Sequence, residues 1–199
     1  MAESGGNVRA QDLLDFCVRV FRTLGVAPDE AFVTAENLVT ANLRGIDSHG
    51  VARLIRYVKG LQDGVMVARP VETIVTETPT TITIDAGAGL GQPVSHRAMT
   101  RAIEKAQDYG CGFAAVRNSN HYGIAGYYAM MALKHDMIGF STTNADVLVV
   151  PTFGRDAMYG TNPIALAVPA AKERPFVMDM ATSTAVSYTH LTLPTIYSV

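Results

Sequence analysis

Pro70-Val71-Glu72-Thr73-Ile74-Val75-Thr76-Glu77-Thr78-Pro79-Thr80-Thr81-Ile82-Thr83-Ile84-Asp85 is the stretch where the chain changes period. Two runs rich in β-branched residues, Val71 to Glu77 and Thr80 to Asp85, flank Thr78-Pro79, which predicts two strands joined as a hairpin. Before Pro70 the pattern is helical. Leu13, Leu14, Cys17, Val18 and Phe21 share one face of a helix over 11–24, with Gly25 as its stop. Pro28, Asp29 and Glu30 read as the first turn of a second helix that reaches about Arg44 and ends at Gly45. A third apolar stripe, Val51, Leu54, Ile55, Val58 and Leu61, runs to about Gly64. Residues 1–70 therefore read as a helical unit.

After the hairpin, helices and strands alternate. A Gly-rich turn leads into a helix over 93–109, then a strand (112–116), a loop (117–121) and a helix (124–135). Further strands are expected at 138–142, 163–168 and 175–180. The fold class is α/β, with the N-terminal helical unit packed with a mixed-sheet unit over 71–186. Residues 187–199, SYTHLTLPTIYSV, have neither a helical period nor a clear partner strand and read as a non-native tail.

Composition narrows the partners. The chain has 199 residues, 48% of them apolar and 17% charged, which is globular rather than disordered. A net charge of −2 with no basic run gives no reason to expect nucleic acid or an acidic membrane surface. No apolar run is long enough to span a bilayer, and Met1 to Arg9 carries no apolar signal core. Cys17 and Cys111 lack metal spacing and read as buried thiols of a reducing compartment. A cytoplasmic location is the expectation.

Residues 47–57 read Asp47-Ser48-His49-Gly50-Val51-Ala52-Arg53-Leu54-Ile55-Arg56-Tyr57. Asp47 and Ser48 stand where an N-cap would be. On a continuous helix, His49, Arg53 and Tyr57 share one face, roughly opposite the apolar stripe. Such a face offers a proton carrier, a carboxylate-binding fork and a hydroxyl, which a small 2-hydroxy or 2-keto acid would need. A capped helix with a solvated polar face is the alternative.

Four further stretches carry polar groups. Gly87-Ala88-Gly89-Leu90-Gly91 misses the dinucleotide-binding glycine spacing by one residue and reads as a turn. Asn118-Ser119-Asn120-His121-Tyr122-Gly123 follows a strand and opens a helix. Its amides would face an anion such as a cofactor phosphate, with Gly123 and Gly126 letting a ligand approach the backbone. A loop capped by an asparagine reads equally well. Tyr159-Gly160-Thr161-Asn162-Pro163 could fix a carboxylate or carbonyl at a strand entrance, or be plain turn chemistry. Asp179 is one acid inside the apolar strand Phe176 to Met180, and needs a partner such as a cofactor hydroxyl, a histidine or backbone amides. His49, His121 and Asp179 have no ligand spacing on one element, so no metal is expected.

GIDSHGVARL (45–54), NSNHYGIAGYYA (118–129), YGTNPIALAVP (159–169) and FVMDMATS (176–183), in this order, resemble the malate/L-lactate dehydrogenase family of NAD(P)-dependent oxidoreductases, over about Leu13 to Ala185. The resemblance implies a non-Rossmann NAD(P)-binding fold, in keeping with the imperfect glycine pattern. It implies hydride transfer between NAD or NADP and a 2-hydroxy or 2-keto acid, and suggests a homodimer. Ser48 and His49 would form a proton relay with His49 as acid/base, and Arg53 would bind the substrate carboxylate; the helical spacing, apart from the resemblance, puts Tyr57 on the same substrate face. His121, catalytic in some members, would line the cofactor with Tyr122, Gly123, Ile124 and Ala125. Thr161 would contact substrate, and Asp179, Met180 and Ala181 would touch the cofactor. Family chains continue well past FVMDMATS. An acid that orients the relay histidine in some members would fall near Thr189, inside the odd tail. The chain therefore reads as a C-terminally truncated fragment with an incomplete fold. A non-catalytic α/β protein binding a small anion through Arg53 and the His121 loop, or an inactive fragment, is the alternative reading.

Overall fold

The computed structural model describes residues 7–183. The readings made for 187–199 and for the position near Thr189 lie outside the described residues. The chain forms two compact units, Met1–Ile124 and Ala125–Val199. This division falls far downstream of the change in period at Pro70, because the first strands pack with the helices of the first unit. Arg97 on the long helix α4 (Gly91–Tyr109) pairs with Glu30 on the second helix, at 3.0 Å, and with Glu72 just before the first strand.

In the first unit, α1 (Ala10–Thr23) buries Cys17 and Phe21, with Leu14 and Val18 packed beside them. α1 stops at Gly25, whose φ of +87° is cheap only for glycine. α2 (Pro28–Leu43) buries far more than one stripe: Ala31, Thr34, Ala35, Asn37, Leu38, Val39 and Ala41. Its small residues let it lie against both α1 and α4. Burial of Thr34 is tolerated because its hydroxyl donates to the Glu30 carbonyl at 2.7 Å.

The expected continuous helix from Asp47 is absent from the described residues. Two 3₁₀ turns, Asp47–His49 and Val51–Arg53, meet at Gly50, where ψ is −155°, and only then does α3 (Leu54–Gln62) begin. Neither turn has a side-chain cap, so Asp47 and Ser48 do not play the N-cap role. The break re-aims the face. Ile55, expected inside, is 58% exposed, while Tyr57, expected on the polar face, is completely buried against Phe21 with ring centroids 6.2 Å apart. Burying the larger aromatic removes more apolar area from water, and the isoleucine gives way.

β1 (Thr73–Glu77) and β2 (Thr81–Asp85) form the expected antiparallel hairpin, and β3 (Phe113–Arg117) adds to β2 in parallel, with α4 as the crossover. Ile82 and Ile84 of β2 pack under Val94 and Ala98 of α4. Cys17 is buried, which pushes its thiol up to about 11. Cys111, also expected to be buried, is exposed. It lies in the turn between the left-handed Gly110 that ends α4 and the start of β3, outside the strand that would have covered it.

In the second unit, α5 (Ala125–Met131) runs into a 3₁₀ turn, Ala132–His135. β4 (Gly139–Thr142), β5 (Ile164–Val168) and β6 (Phe176–Met180) form an antiparallel sheet in that order. Its interior is built from small residues: Ala129, Ala132, Ala165 and Ala167 are buried beside Tyr128. Among the described residues, no helix is long and apolar enough to cross a membrane.

Candidate active site

The first unit gathers Ser48, His49, Arg53, Tyr57 and His121. The His49 side is held from α2. Asn42 accepts the Val51 amide on Oδ1 at 2.8 Å and donates from Nδ2 to the Asp47 carboxylate. One amide side chain thus grips the 3₁₀ segment at both ends. Gly50 makes this possible, because a Cβ there would fall onto the Asn42 amide. Within the segment, Arg53 Nε donates to the Ser48 carbonyl at 2.7 Å. This fixes the plane of the guanidinium, and its two terminal nitrogens make no hydrogen bond among the described residues. Ser48 Oγ lies 3.1 Å from His49 Nδ1.

The His121 loop is held from three directions. Asn120 Nδ2 donates to the Ala88 and Gly89 carbonyls at 2.8 and 3.0 Å, and Asp85 collects Arg117, Asn118 and the Gly87 amide, each at 3.0 Å. The Gly87–Gly91 turn is thus a clamp for this loop. Gly91 is needed there, since a side chain would run into the carbonyls of Asn120 and His121. From α2, Asn37 Oδ1 accepts the Ile124 amide at 3.4 Å, in the space a Gly123 side chain would fill. On the side where a Cβ would stand, the space beside Gly123 is filled by Asn37 and that beside Gly126 by Asp179. The amides of Gly123, Ile124 and Gly126 donate to His121 Nδ1, Asn37 Oδ1 and Asp179 Oδ2. These three donors are committed to protein acceptors and so are not the amides that would face an anion at this turn.

The two halves meet through their rings. His49 and His121 stack with centroids 5.7 Å apart and planes 20° from parallel. Tyr57 Oη lies 2.6 Å from His121 Nδ1, and the Gly123 amide approaches the same nitrogen at 3.3 Å. An amide N–H only donates, so Nδ1 presents its lone pair, Tyr57 is the donor, and the proton of the neutral ring is on Nε2. Nε2 makes no hydrogen bond among the described residues. It is a positioned donor suited to a carbonyl or hydroxyl oxygen of a ligand.

Burial, with the charges of Arg53 and Arg56 adding to it, pushes His49 down to about 4. Burial followed by Arg56, His49 and Arg53 pushes His121 down to about 3. Both rings are therefore neutral at neutral pH, the state a base needs before it takes a proton. Burial raises the Tyr57 phenol, against the opposing pull of Gln92, Arg56 and Arg53.

The other residues singled out in the sequence belong to the second unit. Asp179 is half-buried, and its Oδ2 takes the Gly126 amide at 2.7 Å, so a backbone amide is one of its partners. Met180 is 51% exposed, and Ala125 is buried as the first residue of α5. The Thr161 carbonyl accepts the Thr182 amide at 2.9 Å and its hydroxyl at 3.1 Å, which ties the entrance of β5 to the end of β6. Asn162, at φ +35°, takes the Ala145 amide on Oδ1 at 2.9 Å. Beside them, Val149, Pro151, Tyr159 and Thr182 are among the residues lining a cavity of about 500 Å³. Among the described residues no three His, Cys, Asp or Glu groups are placed to hold a metal.

Three site residues were missed by spacing alone. Asn37 and Asn42 lie inside Ala35-Glu36-Asn37-Leu38-Val39-Thr40-Ala41-Asn42, and Gln92 is in the first turn of α4. Asn37 in the interior of α2, where asparagine is a poor helix former, is the signal available for one of the pair; Asn42 lies in the last turn.

Residues 8–191 match the malate/L-lactate dehydrogenase family. The malate dehydrogenase of Pyrococcus horikoshii is 53% identical over 171 residues, covering 86% of this chain and 47% of the relative. The L-sulfolactate dehydrogenase of Methanocaldococcus jannaschii is 43% identical over 166 residues, covering 83% and 48%. The solved structure of the Pyrococcus horikoshii enzyme superposes with a TM-score of 0.89 at 50% identity, covering 92% of this chain and 52% of that one. The chain spans about half the length of the relatives it matches.

Proposed function

For a chain that belongs to the malate/L-lactate dehydrogenase family, we propose a share in an oxidoreductase that moves a hydride between NAD or NADP and a small 2-hydroxy or 2-keto acid. The observation that carries this reading is the neutral, stacked His49–His121 pair beside an Arg53 guanidinium anchored by its Nε. The terminal nitrogens of Arg53 take the substrate carboxylate as a two-pronged fork, which orients the carbon to be oxidised. His49 accepts the hydroxyl proton on the ring nitrogen turned away from Ser48. Ser48 Oγ, at 3.1 Å from Nδ1, then accepts from the charged imidazolium. His121 Nε2–H steadies the substrate oxygen as charge builds on it. In the reverse direction the protonated His49 returns the proton to the carbonyl oxygen.

The nicotinamide, when bound, accepts or gives back the hydride. Tyr122, Gly123 and Ile124 of the first unit are proposed as cofactor contacts, as are Ala125, Asp179, Met180 and Ala181 of the second, and Thr161 as a substrate contact. The unpartnered His121 Nε2 supports the ring end of the cofactor or the substrate oxygen as the occupant at this loop, and the committed amides argue against its phosphates. The proposal includes a cytoplasmic homodimer.

The test is a chain extended with the C-terminal portion of the Pyrococcus horikoshii relative, assayed for NADH and NADPH oxidation with 2-keto acids. His49→Ala is expected to cost at least about 100-fold in kcat. Turnover within a few-fold of the parent would overturn the assignment.

A further inference from the structure

Gln92 is completely buried, and neither Nε2 nor Oε1 has a hydrogen-bond partner among the described residues. A buried primary amide left this way loses its hydration without compensation, so its position calls for a reason. Its side chain lies close enough to Tyr57 to favour the ionised phenol, although the approach falls short of a formed hydrogen bond. Tyr57 in turn has one proton, already given to His121 Nδ1 because the Gly123 amide leaves that nitrogen no other role. The Tyr57 oxygen can therefore accept on its remaining side, and the neighbouring Gln92 amide has an NH₂ with no other partner to give it to.

We propose that Gln92 is a positioning residue for the site. By donating to Tyr57 Oη it fixes the direction of the Gln92–Tyr57–His121 chain and so holds the His121 proton on Nε2. A donor on the phenol oxygen strengthens the phenol as a donor in turn. Reversing the chain would turn Tyr57 into an acceptor and move the His121 proton to Nδ1, against the Gly123 N–H. Nε2 would then lose the hydrogen it offers to a ligand. The consequence for catalysis rests on the proposed function, but the tautomer does not, and it can be read without turnover.

Nitrogen NMR of the histidine rings in the 199-residue chain tests this directly. In the parent, His121 Nδ1 is expected to resonate as a bare ring nitrogen and Nε2 as a protonated one. Gln92→Met keeps the shape and removes the donor, so both tautomers should appear and the His121 pKa should rise by about half a unit or more. Gln92→Glu, once ionised, pulls the Tyr57 proton toward itself. It should invert the tautomer and raise the pKa further than Met does. At a pH low enough to protonate that carboxyl, it should restore the parent pattern. The ionisable groups that reach His121 from other elements, Arg56, His49 and Arg53, are present in both variants. A His121 tautomer and pKa identical to the parent in both folded variants would overturn the proposal, whatever the fate of His49→Ala in the extended chain. Should one variant fail to melt cooperatively, the other decides.

Discussion

The two sides of the site are built by the same device to different depths. On each, an asparagine of α2 reaches into the space left by a glycine: Asn42 into that of Gly50, Asn37 into that of Gly123. Asn37 is completely buried, and Gly123 sits at φ +81°. Asn42 is half-buried, and Gly50 has an ordinary φ of −81°. The ring partners differ likewise. His121 has its Nδ1 fixed by a buried phenol and a backbone amide, whereas His49 faces a serine hydroxyl that can rotate. The lesson is a division of labour. The rigid side fixes the tautomer of its ring, which suits the donor role proposed for His121, and the rotating hydroxyl suits the proton carrier proposed for His49.

The largest test of this contrast is glycine replacement. Gly123→Ala combines a left-handed backbone, about 1–2 kcal/mol, with a Cβ driven into a buried amide that has nowhere to go, for another 1–3 kcal/mol or so. A total loss of about 3 kcal/mol is expected in denaturant unfolding. Gly50→Ala strains no dihedral and needs only that Asn42 swing away from Val51 and Asp47, for a loss of about 1–2 kcal/mol. Equal losses would mean that the two sides are equally rigid.

Acid unfolding comes next. Above pH 6.5 both histidines are neutral in the folded and unfolded chains and contribute no slope. Below it the unfolded chain takes protons that the folded one refuses, so stability falls as pH drops, by at most about 1.4 kcal/mol per pH unit for each ring. For His49 the loss should level off near pH 4, and for His121 near pH 3. His121→Gln should therefore flatten the acid limb to a lower pH than His49→Gln does. Superimposable limbs would erase the distinction between the rings.

This contrast also marks how far the sequence could be read. α1, α2, the β1–β2 hairpin, α4 and the later strands follow from apolar period and turn residues, because these elements bury one face each or end at a Gly or Pro. The Ser48–His49–Arg53 cluster and the His121 loop were recognisable from residue type and motif. Their mutual placement was not, since the stacking of His49 on His121 depends on contacts 72 residues apart in the chain. The single-helix reading of 47–57 failed at Gly50. A helix wheel assumes an unbroken axis, and the chain gives that up so that Asn42 can reach Val51. Asn37 and Gln92 escaped notice because a buried polar residue looks, in one sequence, the same as a solvated one.

The smallest effects carry the sharpest comparison, because the two hydroxyls should act with opposite sign. Tyr57 donates to the lone pair of His121 and so favours the neutral ring. Tyr57→Phe keeps the ring packing, removes that donor and should raise the His121 pKa, by about one unit at most. Ser48, in the relay role, accepts from His49 Nδ1 once the ring is charged. Ser48→Ala should then lower the His49 pKa by a few tenths of a unit or so, with a stability change within about 0.5 kcal/mol. Parallel pH titrations of the two rings by NMR read both signs in one experiment. If Ser48→Ala raised the His49 pKa, the serine would be a donor to a neutral ring, as Tyr57 is. His49 would then be held as rigidly in one tautomer as His121, and the relay through Ser48 would lose its physical basis.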